Sequence, residues 1–105
     1  MKWLFKFITK KLDKKMNTTI REIYTYNEGA LISTSIFWEA SEKFAQNRGV
    51  IIDNNSSHIY FKMMIDNEEL SVTFYKNKSN GTTDICVENR EKALKKALES
   101  IRVKP

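Results

Sequence analysis

Between residues 59 and 88 the chain alternates apolar and polar side chains in three successive segments. Ile59, Phe61, Met63 and Ile65 alternate with Tyr60, Lys62, Met64 and Asp66; Leu70, Val72 and Phe74 with Ser71, Thr73 and Tyr75; Ile85 and Val87 with Cys86 and Glu88. A period of two puts the apolar members on one side of an extended chain, which predicts three strands sharing a core face. The connections Asp66-Asn67-Glu68-Glu69 and Asn77-Lys78-Ser79-Asn80-Gly81 are short enough for hairpins, so the strands form an antiparallel meander. The opposite face, with Tyr60, Lys62, Met64, Ser71, Thr73 and Tyr75, is mixed and is left for solvent or a partner.

A sheet with one apolar face needs a second layer, and the flanking sequence supplies helices for it. Asn89 can cap a last helix in which Leu94, Ala97, Leu98 and Ile101 recur at i, i+3, i+4 and i+7, a stripe expected to cover the sheet. Upstream, Ser33, Thr34 or Ser35 can cap a helix with Glu39 near its positive end and a stripe of Ile36, Phe37, Ala40 and Phe44, stopping at Gly49. Val50-Ile51-Ile52 is a short apolar segment before the loop-forming cluster at 53–57. Asn17-Thr18-Thr19 reads as a break, and Ile20 to Tyr26, rich in β-branched and aromatic residues, as a strand. After a turn at Asn27-Glu28-Gly29, Ala30 to Ile32 is a short return strand or a lead-in to the helix. The prediction is an α+β single domain of order α-β-α-β-β-β-α, with an antiparallel sheet of three to five strands and helices mainly on one face.

Residues 1–16 read as a basic amphipathic helix preceding a compact domain at 17–105. Trp3, Leu4, Phe5, Phe7, Ile8 and Leu12 share one arc of the helical wheel, while Lys2, Lys6, Thr9, Lys10 and Asp13 lie opposite. The formal net charge of +5 resides here, because outside this segment the basic and acidic side chains balance. Lys6 interrupts the apolar run, so neither a secretory signal nor a spanning helix is expected. A basic amphipathic segment with Trp and Phe suits packing within its own fold or on a second copy, an anionic membrane surface or a protein partner, and nucleic acid. The single cysteine, Cys86, excludes an internal disulfide framework and a cysteine-based zinc site. A cytoplasmic protein, membrane-peripheral if the first helix binds lipid, is the expectation.

No catalytic constellation is visible in the sequence. His58 has no evident companion, and Cys86 alternates with apolar neighbours as a packed thiol does. Asp66, Glu68 and Glu69 sit at a turn, where carboxylates stay solvated. Asp53-Asn54-Asn55 lacks the spaced acids, central glycine and closing glutamate of a calcium loop, and the glycines are too isolated to cradle phosphate. No cofactor and no metal are expected, and the chain reads as non-enzymatic. The expectation is a protein-interaction protein, of the inhibitor or immunity type, that binds and blocks a partner protein. Trp3, Phe7, Lys2, Lys6, Lys10, Tyr60, Lys62 and Tyr75 are its candidate contacts, since aromatic residues are enriched at interfaces.

From Ser35 to Arg102 the order helix, three strands, helix resembles that of the double-stranded-RNA-binding domain. Ser56-Ser57-His58 stands where that family has Gly-Pro-x-His, and Arg90, Lys92, Lys95 and Lys96 are interspersed with Glu91 where it has a lysine cluster. The resemblance implies an alternative, RNA binding through the first helix and those four cations, with Tyr60 or Tyr75 as stacking platforms.

Overall fold

Residues 17–26 are helical, contrary to the break and strand expected there. The computed structural model describes residues 2–102, with side chains for 11–101, and its first helix, α1, runs unbroken from Lys2 to Asn27. The threonines that signal extended chain are accommodated: the hydroxyls of Thr18, Thr19 and Thr25 donate to the carbonyls of Lys14, Lys15 and Arg21 at 2.8–2.9 Å. Burial at helical spacing decides the conformation, because Met16, Ile20 and Ile23 recur at i, i+4 and i+7 and all enter the core. Beyond the helix Gly29 takes φ +82, a left-handed position, and donates its N–H to the Val87 carbonyl at 2.9 Å.

The strand that follows is longer than expected and displaces the next helix start. Strand β1 spans Leu31–Phe37 and absorbs Ser33, Thr34 and Ser35, none of which caps the helix. Its register against the last strand shifts between Ser33 and Phe37, and there Thr34 Oγ1 donates to the Thr83 carbonyl (2.7 Å) and accepts the Ile36 N–H (3.2 Å). A side chain thus substitutes for lost ladder bonds. Helix α2, Trp38–Arg48, begins at Phe37 without a side-chain cap, and the Trp38 N–H finds the Gly81 carbonyl at 3.0 Å instead. Ser41 Oγ meets Thr83 Oγ1 at 2.6 Å in full burial, locking α2 to the sheet.

Strands β2 (Val50–Asn54), β3 (His58–Ile65), β4 (Glu68–Lys76) and β5 (Thr82–Glu88) complete a five-stranded antiparallel sheet of order β1-β5-β4-β3-β2. The three alternating segments are β3, β4 and β5, and the short Val50 segment is a fourth member at the β2 edge. Asp66 (φ +51) and Asn67 (φ +65) form a two-residue β3–β4 turn with both residues left-handed, a geometry that matches strand twist. Ile59, Phe61, Leu70, Val72, Phe74, Ile85 and Val87 are fully or almost fully buried beneath α1 and α2. This is an α+β fold with its two packed helices on one sheet face.

Gly49 ends α2 as expected, but in an extended conformation, φ −109. Its role is clearance, because a β-carbon there would collide with the Phe61 ring, Cδ2 first, and approach the Ala45 carbonyl to 3.1 Å. Gly49→Ala is therefore expected to destabilise the fold by about 1–3 kcal/mol through overpacking, read from the urea midpoint at unchanged slope.

Helix α3, Arg90–Arg102, begins as predicted, with Asn89 Oδ1 accepting the Lys92 N–H at 3.1 Å. Its stripe does not cover the sheet: every residue from Arg90 to Ile101 is exposed, Leu94, Leu98 and Ile101 by 55–71 %. The core face is already filled by α1 and α2. The family-like order also breaks down, since a fourth strand lies between α2 and the meander, and α3 leaves the sheet. Among the described residues no helix is long and apolar enough to cross a membrane.

Candidate functional site

The uncovered sheet face is built in rows, because directly paired residues of antiparallel strands project from the same side. One row reads Leu31, Cys86, Thr73, Tyr60 and Asp53 from β1 to β2; a second reads Ser33, Asp84, Tyr75 and His58; a third reads Glu88, Ser71, Lys62 and Val50. Met64 and Glu69 pair beyond the third row. Leu31, Met64 and Tyr75 are exposed on this face, by 57 %, 59 % and 43 %. Asp53, His58, Tyr60, Ser71, Thr73, Tyr75, Cys86, Glu88 and Arg90 line a shallow depression of about 360 Å³ in it.

His58 has companions that the sequence does not advertise. Its Nε2 lies 2.9 Å from Asp53 Oδ2, and its Nδ1 lies 3.1 Å from Asn55 Nδ2. The Asn55 amide is fixed the other way round by its Oδ1, which accepts the N–H groups of Ser57 (2.8 Å) and His58 (3.0 Å). The network therefore assigns the proton to Nε2, with Nδ1 accepting from Asn55. Both ring nitrogens are engaged, and the Tyr75 ring lies beside the imidazole at 6.0 Å. The signal was the 53–57 cluster itself, since a tight β2–β3 connection must bring Asp53 back beside His58.

Cys86 lies mid-row rather than at a reactive edge. Burial, then the charge and hydrogen bond of Glu88, push its thiol above its ordinary value, and a thiol so raised is a poor nucleophile at neutral pH. Among the described residues no three His, Cys, Asp or Glu side chains converge as metal ligands.

Tyr60 and Arg90, thirty residues apart in the chain, are joined on this face. Arg90 Nη1 donates to the Tyr60 hydroxyl at 2.8 Å. The Ser71 hydroxyl, then the Arg90 guanidinium and the Lys62 charge, hold the Tyr60 phenol below its ordinary value against the effect of burial. Lys62 reaches Glu69 at 3.5 Å. Lys92 is engaged at the surface: its Nζ donates to the Tyr24 hydroxyl at 3.1 Å, and that hydroxyl donates to Glu68 Oε2 at 2.7 Å. Lys95 and Lys96 are exposed on α3. The side chains of Trp3, Phe7, Lys2, Lys6 and Lys10 lie outside the described residues.

The Tyr24–Glu68–Lys92 cluster joins α1, the β3–β4 hairpin and the first turn of α3. The Tyr24 hydrogen bond, then the Lys92 charge, lower the Glu68 carboxyl below its ordinary 4.5; the Tyr24 hydrogen bond raises Lys92. A lowered carboxyl contributes stability that is complete above the ordinary value and lost as pH falls through the folded value. Acidification from pH 5 to pH 3 is expected to loosen the base of α3, seen as lower protection factors at Ala93 and Leu94, that is, exchange rates referred to the intrinsic rate at each pH. Glu68→Gln should show lower protection already at pH 5 and a smaller pH response.

No protein-family model, curated protein or solved structure matches this chain.

Proposed function

We propose that this chain is a non-enzymatic protein-interaction protein that binds and blocks a partner protein, in the manner of an inhibitor or immunity protein, through its open sheet face. The observation that carries the reading is a face of the five-stranded sheet that no layer covers among the described residues, on which Tyr75, Met64 and Leu31 are exposed around the Tyr60–Arg90 pair. Exposed apolar and aromatic side chains set among polar neighbours are what protein interfaces are made of. A sheet face built of paired rows is also rigid, so little order is lost on docking.

The same face supports enzymatic chemistry poorly. His58 spends both ring nitrogens on Asp53 and Asn55, and the Cys86 thiol is held protonated. RNA binding through α3 would need its cations, yet Arg90 and Lys92 are engaged with Tyr60 and Tyr24.

Capture of partners from the native lysate on immobilised full-length protein, with nuclease and across a salt series, tests the reading. A protein partner that survives nuclease and moderate salt is expected. Recovery of RNA, with binding falling steeply as salt rises and protein lost after nuclease, would replace this reading with the RNA-binding one.

A further inference from the structure

The connection between β2 and β3 is closed by the one ordinary side chain that changes charge near neutral pH. Asn55 and His58 bracket a turn through Ser56 and Ser57, with the Asn55 N–H bonded to the His58 carbonyl at 2.9 Å and the Ser57 carbonyl accepting the Lys76 N–H of β4 at 2.9 Å. The Asn55 side chain serves this turn at both ends. Its Oδ1 accepts the N–H groups of Ser57 and His58, and its Nδ2 donates to His58 Nδ1 at 3.1 Å. Turning the amide over would set its NH2 against two backbone donors, so the backbone fixes its orientation and the ring has to conform to it.

The ring that conforms is the neutral one, with its proton on Nε2 and directed at Asp53 Oδ2, 2.9 Å away. An imidazolium donates from both nitrogens. Its Nδ1–H then meets the Asn55 NH2 donor to donor, and Nε2 lies only 3.4 Å from the same NH2. Asp53 grips a charged ring harder than a neutral one, so the partner that gives way is Asn55, and with it the acceptor of the Ser57 and His58 N–H groups. Other groups stand further off. Tyr75 of β4 faces the ring at 6.0 Å, Asp84 of β5 follows in the row beyond Tyr75, and Glu88 and Arg90, of opposite charge, line the same depression together with Tyr60 and Cys86.

We infer that Asp53, Asn55 and His58 form a proton-operated latch: with the imidazole neutral the β2–β3 connection is closed, and protonation of the ring detaches Asn55 and loosens the β2 edge of the sheet. The edge is susceptible because β2 is exposed along its whole length and pairs with β3 alone, which places it among the segments that open at low cost. The latch stands on this geometry and does not depend on the sheet face docking a protein.

An NMR titration of the full chain, labelled with nitrogen-15, from pH 8 to pH 5 tests this, since that range spans the ordinary imidazole value of about 6.5. At pH 8 the ring is expected to carry its proton on Nε2, with Nδ1 bare. As the ring titrates, the Asn55 side-chain NH2 signals are expected to move with the same midpoint. The protection factors of the Ser57 and His58 amides, referred to the intrinsic rate at each pH, are expected to fall severalfold, as the loss of one modest hydrogen bond each implies. Asn55→Asp keeps one oxygen for the two backbone donors and offers the other to the charged ring, so its Ser57 and His58 amides are expected to stay protected while the ring still titrates. His58→Gln is expected to show no change in Ser57 protection over the range. Asn55 is exposed and His58 half-buried, so both variants are expected to fold, checked by circular dichroism. A proton on Nδ1 at pH 8, a ring that stays neutral down to pH 5, or Ser57 and His58 amides that remain protected as the wild-type ring charges overturns the inference. So does an Asn55→Asp variant that loses protection as wild type does, or a His58→Gln variant that still responds to pH.

Discussion

Glu22→Pro is expected to cost about 3 kcal/mol or more, a large share of the roughly 5–15 kcal/mol that holds a domain of this size. Glu22 is exposed and lies between Ile20 and Ile23, both buried. Proline there removes the bond from residue 22 to the Thr18 carbonyl and drives its ring against that carbonyl, bending α1 between two core anchors. Glu22→Ala, which keeps the backbone donor, is expected within a few tenths of a kcal/mol of wild type. Urea unfolding of both variants checks the contrast. A proline cost below about 1 kcal/mol would contradict a continuous α1, because only a helix interior demands that donor at an exposed position.

Phe74→Ala should be more damaging still, at about 3–5 kcal/mol. Phe74 is fully buried, with its ring edge-on to Phe61 at 4.9 Å and 72°, and 6.4 Å from Phe44 of α2. The substitution empties the junction where β3, β4 and α2 meet, and that site is too enclosed to collapse fully. For a chain of about 100 residues the loss corresponds to a fall of roughly 15–30 °C in Tm. A double-mutant cycle with Phe61→Leu is expected to show about 0.5–1.5 kcal/mol of coupling between the rings. Additive losses would mean that the rings merely share a core.

The meander was legible in sequence because its face is defined by a period of two, and pairing preserves that period across β3, β4 and β5. The second half of α1 was not. Ile20, Ile23 and Tyr24 stand at i, i+3 and i+4, a helical spacing, but the segment is short and rich in β-branched and aromatic residues, and Thr18, Thr19 and Thr25 bias the reading toward extended chain. Only the sheet beneath decides between them, by taking Met16, Ile20 and Ile23 together. The error over α3 has a different origin. Its stripe correctly announces a helix that needs a partner, but periodicity carries no information about which surface supplies it. For the candidate site, Tyr60, Lys62 and Tyr75 were placed on the correct side of the sheet by alternation alone. Arg90 on Tyr60 and Asp53 on His58 are contacts between separate strands or between strand and helix, invisible until the register is known.

The account turns on the open sheet face as a protein-docking surface, and a comparison of partner capture tests that most directly. Immobilised wild-type protein, the Met64→Lys, Tyr75→Lys face variant and a control, Lys78→Glu in the exposed β4–β5 connection, would be offered the same nuclease-treated native lysate. The account predicts a protein partner retained by wild type and by the control and lost from the face variant. Equal recovery by all three, or recovery that vanishes with nuclease for every one of them, would contradict it.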